Sequence, residues 1–134
     1  MFFIKRDSIQ RKIFILVFLI ILILTACKEI PPEKRLEGTW RNGVIYIVFD
    51  EDGTYATADL PGDLHENPSS KGTYSFDGEQ LSLFEDDPGI CYGMMAKYAV
   101  SFPEENQATY LMVQDPCTER ERLLACCLWR RHEP

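Results

Sequence analysis

The chain has 134 residues, with 14 Lys and Arg against 21 Asp and Glu, five Cys and 46% apolar residues. That length suits one domain with an appendage. The charge divides unevenly: residues 1–26 carry four bases (Lys5, Arg6, Arg11, Lys12) and one acid (Asp7), a net of +3, which against −7 for the whole chain leaves −10 on the remainder. A body of that sign is wrong for gripping nucleic acid phosphates and wrong for a basic patch on anionic lipid head groups.

The four bases precede Ile13 to Leu24, an unbroken apolar run of 12 residues. A spanning helix needs about 20, whereas the apolar core of a secretory signal has about 7–15. Residues 1–26 are therefore expected to be a signal peptide, residues 27–35 a polar, Pro-containing tether, and residues 36–134 the folded domain. Leu24-Thr25-Ala26-Cys27 closes the apolar run and resembles the bacterial lipobox: an aliphatic residue, two small residues, then Cys. The resemblance implies a lipoprotein whose Cys27 thiol carries a diacylglycerol. A signal peptidase that recognises Leu24, Thr25 and Ala26 cuts before Cys27, and acyl chains such as palmitate then hold the protein on the extracytoplasmic face of the cell membrane. Several acyl chains, at about 0.8 kcal/mol per buried CH₂, give a stable anchor.

With Cys27 set aside, Cys91, Cys117, Cys126 and Cys127 remain. Export places them where disulfides persist, and four Cys allow three pairings. Cys91 and Cys117 both lie in turn-rich segments and are the favoured pair. Cys126 and Cys127, read as part of a last strand at 126–131, would point to opposite faces and stay unbridged. No CxxC or HxxxH spacing suggests a metal site, and no cofactor is expected.

The rest of the chain reads as successive strands. Gly38–Arg41 is a short first strand. Val44–Phe49 is rich in β-branched and aromatic residues, Asp50–Gly53 turns, and Thr54–Ala58 returns. Residues 59–69 form a Pro- and Gly-containing loop. Lys71–Phe76 and Gln80–Phe84 flank Asp77-Gly78, expected as a two-residue type I′ turn. Met94–Phe102 alternates, with Ala96, Tyr98, Val100 and Phe102 on one face. It is followed by a turn at 103–106 and by Gln107–Val113. Asp115 looks like an N-cap with Pro116 at the first helical position, ahead of a short helix over Thr118–Ala125. About eight antiparallel strands joined in sequence predict an all-β, up-and-down barrel with one short C-terminal helix, a sandwich being the other arrangement of such strands.

Leu36-Glu37-Gly38-Thr39-Trp40-Arg41, Lys71-Gly72-Thr73-Tyr74-Ser75-Phe76, Leu81-Ser82-Leu83 and the segment from Asp115 through Trp129-Arg130 resemble the small lipocalin-like (calycin-type) lipoprotein domains of bacteria. The resemblance implies that Gly38 and Trp40 close the barrel base, with Arg130 as the basic residue of the last strand over the indole. It also implies a lipocalin-like, non-enzymatic domain taking a small apolar ligand. The alternative partner is an envelope protein, met by a closed barrel through its acidic surface or the 59–69 loop.

Catalytic patterns are sparse. No GxSxG or phosphate-cradling Gly loop occurs. Asp50-x-Asp52-Gly53 lacks the later acids of a calcium loop and reads as a hairpin turn. Glu85-Asp86-Asp87 reads as a solvated acidic loop. Asp63, His65 and Glu66 are the one base-and-acid grouping, a candidate metal-dependent hydrolase site in a loop where polar residues are expected anyway.

Overall fold

The computed structural model describes residues 4–25 and 29–134, with backbone only at 4–8, 24 and 25. The chain forms two compact units, Met1–Ile30 and Pro31–Pro134. The first is the helix α1, Ile4–Thr25, whose side chains from Ile13 to Ile23 are exposed. Among the described residues, no helix is long and apolar enough to cross a membrane. Ala26 and Cys27, the expected cleavage and lipidation positions, lie outside the described residues, as do the side chains of Leu24 and Thr25.

The second unit is a closed antiparallel barrel of eight strands, each paired with its neighbours in sequence. They are β1 (Gly38–Arg41), β2 (Tyr46–Phe49), β3 (Thr54–Ala58), β4 (Ser70–Phe76), β5 (Gln80–Glu85), β6 (Met95–Ser101), β7 (Gln107–Gln114) and β8 (Trp129–Arg131), with α2 (Thr118–Ala125) between the last two. Three residues of β8 close the ring, Trp40 opposing Arg131 on one side and Ala108 opposing Trp129 on the other. Every strand pairing and both buried clusters lie within Pro31–Pro134. This unit therefore contains what its own folding requires.

Alternation sorts the strands. Trp40, Ile47, Phe49, Tyr55, Leu81, Leu83, Tyr98 and Trp129 fill the interior. Val48, Ala56 and Ala58, on the outer face of β2 and β3, are covered by Leu64 from the 59–69 loop. That second cover explains why β2 reads as a continuous apolar run. In β7 the register shifts by one residue, Lys97 and Tyr98 facing Gln114 and Met112, so that Val113 is the extra residue of a bulge.

Four local expectations are corrected. The last strand begins at Trp129, because Cys126 is the C-cap of α2 with helical angles of −70° and −33°. Strand alternation therefore does not apply to Cys126 and Cys127, and they are bridged to each other, alongside Cys91–Cys117 with a Cα–Cα distance of 5.5 Å. The β4–β5 turn centres on Gly78-Glu79, with Asp77 N–H donating to the Gln80 carbonyl. Among the described residues only glycines take positive φ, Gly78 at +104°, which fits type II′ rather than I′. Finally, Cys117 rather than Asp115 is the N-cap of α2. Asp115 instead accepts the Cys117 N–H at 2.8 Å through Oδ1.

Candidate functional site

The two ends of the barrel differ. One end, where the turns at 50–53, 77–79 and 102–106 lie, is plugged. Residues 31–37 approach it, and Gly78 sits against Pro32 so closely that a Cβ would come within 2.8 Å. Trp40 donates its Nε1–H to the Leu36 carbonyl at 2.8 Å, and its ring stands 6.2 Å from that of Phe102. The Arg131 guanidinium lies 4.3 Å above Trp40 and donates to the carbonyls of Glu37 and Arg35 at 2.6 and 2.8 Å. Gly38 is needed here twice over: its φ is +113°, and a Cβ would stand 2.7 Å from an Arg131 nitrogen. The expected barrel-closing basic residue, Arg130, is corrected to Arg131. Trp129 points inward, so alternation turns Arg130 outward, where it is exposed, and brings Arg131 back over the plug.

The opposite end holds the cup. A cavity of about 260 Å³ descends between α2 and the strands, walled by Ile47, Leu83, Leu124 and Trp129. Trp129 is fixed by its Nε1–H donating to the Leu124 carbonyl at 3.0 Å. Thr57 and Ser70, hydrogen-bonded to each other at 2.6 Å, line it nearer the mouth. Asn42 ties α2 to the β1–β2 turn, donating to the Leu123 carbonyl at 3.0 Å and accepting from the Val44 and Ile45 N–H groups. The Cys91–Cys117 bridge joins the β5–β6 loop to the start of α2 on the same rim.

Three polar residues line the cup from within: Tyr55, Glu85 and Arg120, exposed by only 2%, 4% and 7%. Arg120 is held by Asp115, Nε at 2.9 Å from Oδ2 and Nη2 at 2.8 Å from Oδ1, and its Nη1 donates to the Met94 carbonyl at 3.1 Å. Tyr98 also donates its hydroxyl to Asp115. Burial pushes the Asp115 carboxyl up, but the hydrogen bonds from Arg120, Tyr98 and Cys117 together outweigh it and hold the carboxyl below its ordinary value. Glu85 is the reverse case: burial dominates and raises its pKa, and its Oε2 is buried with no hydrogen-bond partner. The Tyr55 hydroxyl is likewise buried without a hydrogen-bond partner, and burial lifts its pKa to about 12.

The grouping of Asp63, His65 and Glu66 does not converge on this cavity. His65 is 66% exposed and turns to Asp50, Nε2 to Oδ2 at 3.2 Å. Asp52 completes a hairpin turn by accepting from the Thr54 N–H and hydroxyl at 3.0 and 2.6 Å. Of the acidic run 85–87, Glu85 is not solvated loop but the inward-facing end of β5. The signal was present as Leu81, Leu83 and Glu85 at two-residue spacing, masked because an acid reads as the end of an apolar strand. No family model, no curated protein and no solved structure matches the chain.

Proposed function

We propose that this chain is a membrane-tethered, extracytoplasmic lipoprotein whose barrel binds a small, mainly apolar ligand in the cup without transforming it. The observation that carries the binding reading is the 260 Å³ cavity with apolar walls, whose lining holds two of the three buried polar atoms without a hydrogen-bond partner among the described residues, Tyr55 Oη and Glu85 Oε2, the third being Tyr110 Oη. Apolar walls with a few convergent polar groups are the usual constitution of a ligand site. A buried polar atom left without a partner costs about 1–3 kcal/mol, which a ligand's polar group in the cup would relieve. At about 300 Å³ and above such sites take drug-sized ligands, so this cup suits a compact one. The tethering reading is supported by Leu24-Thr25-Ala26-Cys27 at the end of the apolar run, and a lipocalin-like kinship by the closed eight-stranded topology with Trp40 and Arg131 at its base.

Native mass spectrometry of Pro31–Pro134, purified gently from its own cells and then challenged with a panel of compact apolar compounds, tests the binding reading. A bound mass, native or added, is expected; a domain that stays empty throughout overturns it. A second reading, an envelope protein-interaction module, is favoured by the three consecutive exposed apolar residues Leu111, Met112 and Val113 on β7. Crosslinking from Leu111 in cells would then yield one defined protein partner.

A further inference from the structure

Tyr55, Gly72 and Glu85 lie in one row across three strands: Tyr55 opposes Gly72, and Gly72 opposes Glu85. Neighbouring strands are about 4.7–4.9 Å apart, so the two polar residues are separated by about two strand spacings with no side chain between them. Gly72 cannot be otherwise, because a Cβ there would meet the Phe84 carbonyl oxygen at 1.9 Å. The backbone of β5 takes the place of a Cβ at 72, so no side chain there stands between the buried Glu85 Oε2 and the Tyr55 hydroxyl, neither of which has a hydrogen-bond partner.

Acids outnumber bases around these two groups. The ionisable acids lining the cup are Asp59, Glu85 and Glu119, and its one lining base is Arg120. Arg120 is already answered by the two-point contact with Asp115, whose side chain is fully buried. An anion entering the cup meets three carboxylates and a guanidinium whose countercharge is in place. A neutral ligand adds nothing to Cys91, Arg120 and Ser70, which favour the Glu85 carboxylate without outweighing its burial. An ammonium carries three N–H donors, enough for both Glu85 Oε2 and the Tyr55 oxygen, and a nearby cation favours the ionised carboxylate that burial alone disfavours. The −10 carried by residues 27–134 also draws cations towards the mouth. Size sets the remaining limit. At about 30 Å³ per water-sized group, 260 Å³ admits roughly nine such groups.

We propose that the cup takes a compact amphiphilic amine, its apolar body among Ile47, Leu83 and Trp129 and its ammonium held by Glu85 and Tyr55, an inference that rests on the cup being a ligand site.

Calorimetric titration of Pro31–Pro134 with 2-phenylethylamine, 2-phenylethanol and phenylacetate separates the cases, since the three share a body and differ in the head. The amine is expected to bind about tenfold or more tighter than the alcohol, with phenylacetate weakest. Glu85→Gln should weaken the amine by about ten- to a hundredfold, the range for a hydrogen bond to a charged group, while the alcohol changes little. Tyr55→Phe, which keeps the ring and removes only the hydroxyl beside Arg120, should weaken the amine as well and serves if Glu85→Gln does not fold. An alcohol or carboxylate that equals the amine, or an amine indifferent to both substitutions, overturns the amine while leaving the cup. Failure of all three to bind overturns the amine, and the native mass spectra then decide whether the cup binds anything at all.

Discussion

Arg131 and Gly38 are fitted to each other at the plugged end: the guanidinium occupies the space a side chain at 38 would need, and from there it covers Trp40 and takes two backbone carbonyls. Lysine has neither the flat face nor the fork geometry for this. Arg131→Lys is therefore expected to cost about 1–3 kcal/mol, combining a cation–π contact of about 0.5–2 kcal/mol with weakened hydrogen bonds. Arg130→Ala, on the exposed face, should stay within about 0.5 kcal/mol. Denaturant midpoints of the two variants check the assignment, and equal losses would contradict it. The two buried acids should respond to pH in opposite senses. Asp115 has a folded pKa held below its unfolded value, about 3.9. Its contribution is complete above that value and is lost as pH falls through the folded pKa. Asp115→Asn should cost about 3–5 kcal/mol at neutral pH, as breaking a buried ion pair does, and progressively less below about pH 4. Glu85 has a folded pKa above its unfolded one, so its ionisation erodes stability as pH rises from the ordinary Glu value through the raised one. The Tm of Glu85→Gln minus that of the parent should therefore grow as pH rises above the ordinary Glu value. Scanning calorimetry from well below about pH 4 up to neutral pH reads both slopes, and a constant offset for Glu85→Gln would refute its part.

At the scale of elements, the Cys91–Cys117 bridge closes a 26-residue span that includes β6 and β7. On the chain-entropy account such a loop is worth about 3–4 kcal/mol. Replacing both cysteines with Ala should lower stability by about that amount and free the start of α2 from the rim of the cup, which chemical denaturation followed by tryptophan emission would report, Trp129 being at the cavity wall. The strands and hairpins were legible in sequence because Asp-Gly turns and two-residue alternation act locally: β1, β3 and α2 fall where the pattern places them. The cup was not legible, because its members come from β3, β5 and α2 and meet only through closure of the ring. Glu85 looked like loop because it is acidic, and nothing in the sequence singled out Arg120, because its partner Asp115 lies outside the helix and reads as an N-cap. Cys126-Cys127 was misjudged for a related reason. The alternation rule is sound for strands, but Cys126 keeps helical angles as the C-cap of α2 and the strand starts only at Trp129. The turn at Gly78-Glu79 differs by one residue because the Asp77 side chain caps the Glu79 and Gln80 N–H groups at 2.9 and 2.7 Å, which holds Asp77 itself outside the turn.

For the whole molecule, the lipoprotein reading makes one sharp demand. Cys27→Ala should abolish metabolic labelling with palmitate and release the protein from washed membranes; a variant that remains labelled would overturn that reading. The barrel's polarity then acquires a meaning of its own. The chain enters at the plugged end, against Gly78 and beneath Arg131, while the cup opens between α2 and the loops at the other end. From Cys27 to Pro31 the backbone spans at most about 14 Å. A lipid on Cys27 would moor the barrel base-down, like a cup standing on a table. Its contents would then arrive from the water above rather than from the bilayer beneath, which demands a cargo soluble enough to cross that water unaided, and a charged head on a compact body meets that demand.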